Sequence, residues 1–204
     1  MAKKVKCDYL NKLESFAQKK YGKEKTEKIM NKAWARYSEL LEENKDEPKA
    51  YKMHTVDRIY PGIAAFYGLT EEGIERKEAA DLLIGYYRWR SEKMAKMVKK
   101  LVGLPGMYKK IPSLFTSLTQ KMFGEKSGFK YKVYDTGKNE MRIDMLQCPY
   151  YEKCKKYGCA EIVPGYCEAD DVCYGNMHPK LVWGRTKTIG KGGDCCDFKI
   201  TIKE

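Results

Sequence analysis

Apolar residues recur every three or four positions through the first two-thirds of the chain and every second position after that. The pattern predicts helices followed by strands. Between Lys23 and Asn44 the positions Ile29, Ala33, Tyr37, Leu40 and Leu41 keep helical spacing. Between Glu75 and Leu101 the same step links Ala79, Leu82, Leu83, Tyr86, Arg90, Met94, Met97, Val98 and Leu101. The arginine on that stripe can pack its aliphatic stem. Ala50–Gly68 is also helix-like, and Pro61 should kink or divide it. Gly103-Leu104-Pro105-Gly106 is a break, and a shorter helix is expected from Pro112 to Phe123. Helices are thus expected from residue 5 to residue 123.

At Gly128 the period changes. Phe129, Tyr131 and Val133 alternate with Lys130, Lys132 and Tyr134, which is a strand pattern. Asp135-Thr136-Gly137-Lys138-Asn139 is turn chemistry. Met141, Ile143 and Met145 then alternate with polar neighbours and complete a hairpin. Cys148–Asn176 reads as helix and loop, Leu181–Ile189 as a third strand, and Cys196–Ile202 as a fourth with Phe198, Ile200 and Ile202 on one face. The order predicts an α+β fold: an N-terminal helical layer on a four-stranded, mainly antiparallel sheet, with a β-β-α-β-β C-terminal half. Residues 1–123 are the helical region and 124–204 a cysteine-rich α+β region. Together they are expected to make one integrated domain, since 204 residues can bury a core without disulfide staples.

The 43% apolar and 12% aromatic content argues against a disordered, solvating chain. Charges recur from Met1 to Glu14 with no apolar run to serve as a signal-peptide core. The longest apolar stretch, Ile63–Leu69, is far short of a membrane span. The expected address is cytoplasmic, with no membrane partner. The net charge of +12 lies mostly in residues 1–123, where 26 Lys+Arg face 16 Asp+Glu. Lysine there alternates with glutamate as on a solvated face, and no nucleic-acid-binding signature is present. Specific nucleic-acid binding is not expected, and a homodimer is compatible with the sequence.

Of eight cysteines, only Cys7 lies outside the last third. Cytosolic thiols stay reduced, so this crowding asks for a reading other than a disulfide framework. Cys148, Cys154, Cys159, Cys167 and Cys173 contain no Cys-x-x-Cys, and fit neither zinc-ribbon nor bacterial ferredoxin spacing. Folding could still gather Cys148, Cys167 and Cys196 around zinc, with an acidic fourth ligand, or around an iron–sulfur cluster. The residues leave the cofactor open.

The segment Cys148-Pro149 … Cys167-Glu168-Ala169-Asp170-Asp171 … Asn176 … Pro179 … Arg185-Thr186-Lys187-Thr188-Ile189-Gly190 … Gly193-Asp194-Cys195-Cys196-Asp197-Phe198 resembles the C-terminal pattern of the L-2-amino-thiazoline-4-carboxylic acid hydrolase family. The likeness covers residues 140–200 closely and the helical half loosely. It implies a hydrolase that opens a small carbon–nitrogen or carbon–sulfur ring, or an amide-like bond, in a substrate bearing a carboxylate. The family's named reaction opens a cyclic amidine with water to give N-carbamoyl-cysteine. Cys154, Cys159 and Cys173 are departures from the family pattern. A more distant likeness, to the 4-vinyl-reductase-type ligand-sensing domain, implies instead a non-catalytic module that binds a small molecule or metal. A cysteine commonly stands there in the place of Thr188.

Ring opening needs a nucleophile at the amidine carbon, acid help for the departing atom, and a cation for the carboxylate. Arg185 suits the last role because a guanidinium grips a carboxylate at two points. A structural pairing with Asp170, Asp171 or Asp197 is the alternative. Cys167 is the candidate nucleophile, heading an acidic segment whose carboxylates could hold the amidine nitrogen or activate water, and a buried helix cysteine is the alternative. Those carboxylates would also raise its pKa unless Arg185 offsets them. Cys196 shares strand phase with Phe198 and reads equally as core. The expected site lies between sheet and helices, lined by Cys148, Cys167, Asp170, Asp171, Arg185, Thr188 and Cys196. His54 reads as a satisfied structural histidine, and Tyr86-Tyr87-Arg88-Trp89 as helix packing or the wall of an apolar pocket.

Overall fold

The computed structural model describes residues 6–204. The expected helix start at residue 5, and the first part of the charged N-terminal run, up to Val5, lie outside the described residues. α1 spans Asp8–Glu43 and is broken at Gly22, whose φ of 75° only glycine adopts cheaply. Its buried stripe runs from Tyr9, Leu10, Leu13 and Ala17 to Ile29, Ala33, Tyr37 and Leu40. α2, Lys49–His54, passes through a π-helical turn, Thr55–Ile59, into α3, Tyr60–Thr70. The division expected at Pro61 takes that form. Tyr60 N–H reaches Thr55 O five residues back, and Pro61, which has no N–H to give, opens α3.

α3 is apolar nearly all round and is the buried centre of the helical half. It crosses α1 at Gly68, where a Cβ would stand 2.6 Å from the Ile29 carbonyl oxygen. α4, Arg76–Val102, starts behind Glu75, whose carboxylate accepts the Glu78 N–H at 3.1 Å. α5 spans Ile111–Met122.

β1, Lys130–Tyr134, and β2, Glu140–Gln147, form the hairpin. α6, Pro149–Lys156, and α7, Val163–Tyr174, separate it from β3, Leu181–Gly184, and β4, Cys196–Ile202. The sheet order is β1-β2-β4-β3 with every pairing antiparallel, so α6 and α7 form a crossover that places β4 beside β2. The fold is α+β.

One sheet face is covered. Met145 and Cys196 join the core of α1, α3 and α4, while Met141, Ile143 and Ile200 join a second cluster with Val102, Ile111 and Leu181. The first cluster draws on both the helical and the cysteine-rich stretches. The helices do not form a uniform layer on the sheet. α5 lies on β2 and β4, whereas α4 packs on α7 and α1 on α3. Small residues decide this: Gly165 lets α7 approach until a Cβ would stand 2.6 Å from the Tyr87 ring. Among the described residues no helix is long and apolar enough to cross a membrane.

The third strand is shorter than expected, ending at Gly184 with Ile189–Lys191 in a 3-10 turn. Asp197 explains the difference. Its carboxylate accepts the N–H of Thr186 at 2.9 Å and of Lys187 at 2.8 Å, and the Thr186 hydroxyl at 2.5 Å. Those donors turn to a side chain rather than continue the ladder.

Candidate active site

Three separate stretches meet where α7 crosses the open end of the β3–β4 pair. Cys148 caps α6 as the chain leaves β2, α7 carries Cys167, Asp170 and Asp171, and the segment from β3 to β4 carries Arg185, Thr188 and Cys196. On α7, Cys167 stands three residues from Asp170 and four from Asp171, so all three share one helical face.

Arg185 faces that helix. Its side chain is only 4% exposed. Nη2 donates to the Cys167 carbonyl at 2.8 Å and to Asp171 Oδ2 at 2.5 Å. Nη1 lies 3.5 Å from Asp170 Oδ2 and has no hydrogen-bond acceptor. The guanidinium sits 5.4 Å over the Phe198 ring. Asp171 is fixed in turn by Trp183, whose indole N–H donates to Oδ1 at 2.9 Å.

The turn at Ile189–Lys191 closes directly on Cys167. A Cβ on Gly190 would stand 3.0 Å from Cys167 Sγ and 2.6 Å from Val163 Cγ1, so a side chain there would push the turn away. The Ile189 N–H donates to Cys196 Sγ at 3.3 Å. The Thr188 hydroxyl is buried with no partner of good geometry, yet it stands near enough to Cys167 to draw the thiol down.

Burial dominates the electrostatics. It pushes the Cys148 thiol up to about 12, although N–H groups at the start of α6 and the neighbouring thiols Cys196 and Cys167 also act on it. Cys196 is pushed up to about 11 for the same reason. Cys167 is raised by burial, while Thr188, Arg185 and Lys191 pull it down and Asp170 pushes it up. All three are therefore neutral thiols near pH 7. Asp170 is the reverse of an ordinary aspartate: crowding raises its carboxyl to about 7, with Arg185 and Arg58 opposing and Asp171 adding to the rise. Its side chain keeps 40% of its surface open, and water reaching it makes that value a ceiling.

The structure brings together the seven residues expected to line the site, and it adds three. Arg58, on the π-helical turn, puts its charge near Asp170 and Tyr150. Tyr166 donates to the Arg58 carbonyl at 3.1 Å and packs 4.8 Å from the Tyr150 ring. Lys191 acts on Cys167 and lies 3.7 Å from Glu168. The Gly-rich run around Lys191 was a signal for a close turn, but nothing marked Arg58 in the sequence. His54 is held by the Met122 carbonyl at 2.9 Å and Tyr150 at 3.2 Å among aromatic rings. Cys195, which alternates with Cys196 along the chain, is buried too.

Among the described residues no group of three or more His, Cys, Asp or Glu side chains stands in an arrangement to hold a metal ion, Cys148, Cys167 and Cys196 included. Two open hollows of about 470 and 530 Å³ lie along α1, and neither is lined by a residue of this cluster.

Buried thiols, an enclosed guanidinium and a carboxyl raised by burial thus meet at one helix–sheet junction of an α+β protein. A sequence model of the L-2-amino-thiazoline-4-carboxylic acid hydrolase family matches residues 52–200, which is most of the chain. The chain belongs to that family. The match begins in α2, so it takes in much of the helical half and excludes α1. No curated protein matches the chain.

Proposed function

We propose that the protein hydrolyses a small cyclic amidine or amide-like compound bearing a carboxylate, at the junction of α7 with the β3–β4 segment. The observation that carries this reading is the state of Arg185. Its guanidinium is enclosed, held rigidly through Nη2, and keeps Nη1 without an acceptor beside Cys167. A carboxylate oxygen from a substrate would complete that nitrogen, and the substrate's amidine carbon would then stand over the thiol.

In this reading Asp170, as carboxylate, takes the Cys167 proton as Sγ adds to the amidine carbon, and passes it to the ring nitrogen. The carbon–sulfur bond of the ring then breaks as the exocyclic nitrogen forms a double bond to carbon; the electron pair leaves on sulfur, which takes the proton that nitrogen gives up. Water adds to the same carbon, Cys167 departs as thiol, and the carbamoyl product is released. The sum is substrate plus one water. Because Cys167 is neutral at rest, a base is required, and an aspartate titrating near neutrality supplies one. Arg58 and Lys191 screen the charge that develops.

The test is turnover of L-2-amino-thiazoline-4-carboxylate, followed as release of a free thiol. Cys167→Ala and Asp170→Asn should each lower kcat by at least about a hundred-fold, and Arg185→Lys should chiefly raise KM. Full activity in Cys167→Ala and Arg185→Lys would sink this site. A second reading, a non-catalytic small-molecule sensor, draws on the same neutral, buried thiols, which suit a ligand wall. It predicts a thermal shift with the compound and no turnover.

A further inference from the structure

The long stripe of α4 is buried for its first half only. Ala79, Leu83 and Tyr86 lie in the core, whereas Met94, Met97, Leu101 and, in the turn beyond, Leu104 are between 46% and 59% exposed. Steps of three and four place Met94, Met97 and Leu101 on one strip of the helix. The neighbouring strip on one side holds Ser91, Val98 and Val102, which face the protein. The strip on the other side holds Lys93, Lys96 and Lys100, all exposed. An apolar band thus runs to the helix end with the protein on one flank and lysines on the other.

The charge around this band has one sign. Between Lys93 and Gly124 stand seven lysines, no arginine and no acidic residue. Among the described residues none of the seven is in an ion pair, while Lys12, Lys20, Lys28 and Lys32 of α1 all are. A second copy of the chain would bring like charge onto like charge. An acidic protein surface fits less well, because protein interfaces favour arginine and aromatic anchors and are poor in lysine. Exposed leucine and methionine flanked by lysine are the signature of a helix lying on a lipid interface.

We propose that the second half of α4 and the Gly103–Gly106 turn form a docking surface for an anionic phospholipid bilayer. This departs from the expectation of no membrane partner, which rested on the lack of an apolar run long enough to span; a peripheral helix needs no such run, and the lysine–glutamate alternation of α1 stops after Glu92. The association is peripheral: Met97, Leu101 and Leu104 enter the headgroup–acyl boundary and the lysines remain among the phosphates. Each lysine near an anionic surface strengthens binding about five-fold.

The test is co-sedimentation of the full chain with vesicles of phosphatidylcholine containing about 30% phosphatidylserine. Controls are pure phosphatidylcholine vesicles and about 0.5 M salt, which shortens screening to a few ångströms. The protein should pellet with the anionic vesicles at about 0.1 M salt and with neither control. Lys93→Gln/Lys96→Gln/Lys100→Gln should weaken binding roughly a hundred-fold, and Met97→Glu/Leu101→Glu should abolish it. Both sets are surface changes, and unaltered circular dichroism would show the fold intact. No binding of the unaltered chain, or binding that both variants retain, overturns the proposal. So does a dimer in light scattering that Met97→Glu/Leu101→Glu dissolves without any vesicle binding, which would assign the band to a second copy.

Discussion

The pairing of Arg185 with α7 can be measured apart from any reaction. Replacing Arg185 by Met keeps a stem of similar length over Phe198 but removes the guanidinium from Asp171 and from the Cys167 carbonyl. Breaking a fully buried ion pair costs roughly 3–5 kcal/mol. Asp171 keeps 47% of its side chain open, however, so water rescues part of its charge and the pair is worth about 1–2 kcal/mol. Losing the second hydrogen bond to the Cys167 carbonyl, which keeps its place in the α7 ladder, adds roughly 0.5–1 kcal/mol. The single variant should therefore lose about 2 kcal/mol, which for a chain of this size is a fall in Tm of roughly 4–8 °C. Asp171→Asn removes charge while retaining the shape that Trp183 binds. In a double-mutant cycle read by urea unfolding, Arg185→Met and Asp171→Asn should couple by about 1–2 kcal/mol. Trp183 fluorescence reports the same locus. A coupling below about 0.5 kcal/mol would refute the account, leaving Arg185 held by packing and one carbonyl.

Thiol reactivity gives a second check. With iodoacetamide near neutral pH, Cys167 should alkylate faster than Cys148 or Cys196, because Arg185, Lys191 and Thr188 pull it down and the other two stand at about 12 and 11. Peptide mass mapping that finds Cys148 first would contradict that order. Burial holds His54 neutral in the fold, below its ordinary value. The unfolded chain then binds the extra proton, so stability is fully present above about pH 6.5 and is lost as pH falls through the folded value. Melting curves should decline from pH 7 to 5, and less steeply in His54→Gln; equal slopes would count against the assignment. Gly68→Ala should cost about 2 kcal/mol or more, since its Cβ meets the Ile29 backbone 2.6 Å away and rigid helices must part to admit it.

The helices, the hairpin and the last strand were legible because each has one dominant period and one buried face. β3 was overrun because Ile189 continues the strand's apolar phase. Only the folded chain shows that Asp197, twelve residues after Arg185, takes the N–H groups the ladder would have used. The same blindness hid Arg58. A positive charge on a helix reads as solvated unless the turn beneath it is known, and the π-helical turn is a local answer to Pro61 and to packing with Tyr166. The stripe of α4 is legible as a period, but its depth of burial is not. Periodicity reports which residues share a side, not how far the neighbouring body extends. Twenty-seven residues run to about 40 Å, and the apolar band remains exposed over the second half.

The site residues were legible as a set but not as an arrangement, and the arrangement changes the chemistry expected of them. Taken along the chain, Cys167 beside Asp170 and Asp171 argues against an easily formed thiolate, because like charge opposes ionisation. In the fold, Asp171 is spent on Arg185 and Trp183, and Asp170 is left facing two guanidiniums in crowded surroundings. The two carboxylates are thereby separated: Asp171 is held by two donors, while burial raises the carboxyl of Asp170. On the proposed mechanism, the acid surroundings that oppose a permanent thiolate would supply the base that makes a transient one. Arg185 is the hinge of that separation, since it binds Asp171 closely and Asp170 loosely. Replacing it should disturb the titration of Asp170 as well as the grip on a carboxylate. An activity profile whose acidic limb moves upward in Arg185→Lys, and disappears in Asp170→Asn, would tie the base to this pair. A limb unchanged in both would place the base elsewhere.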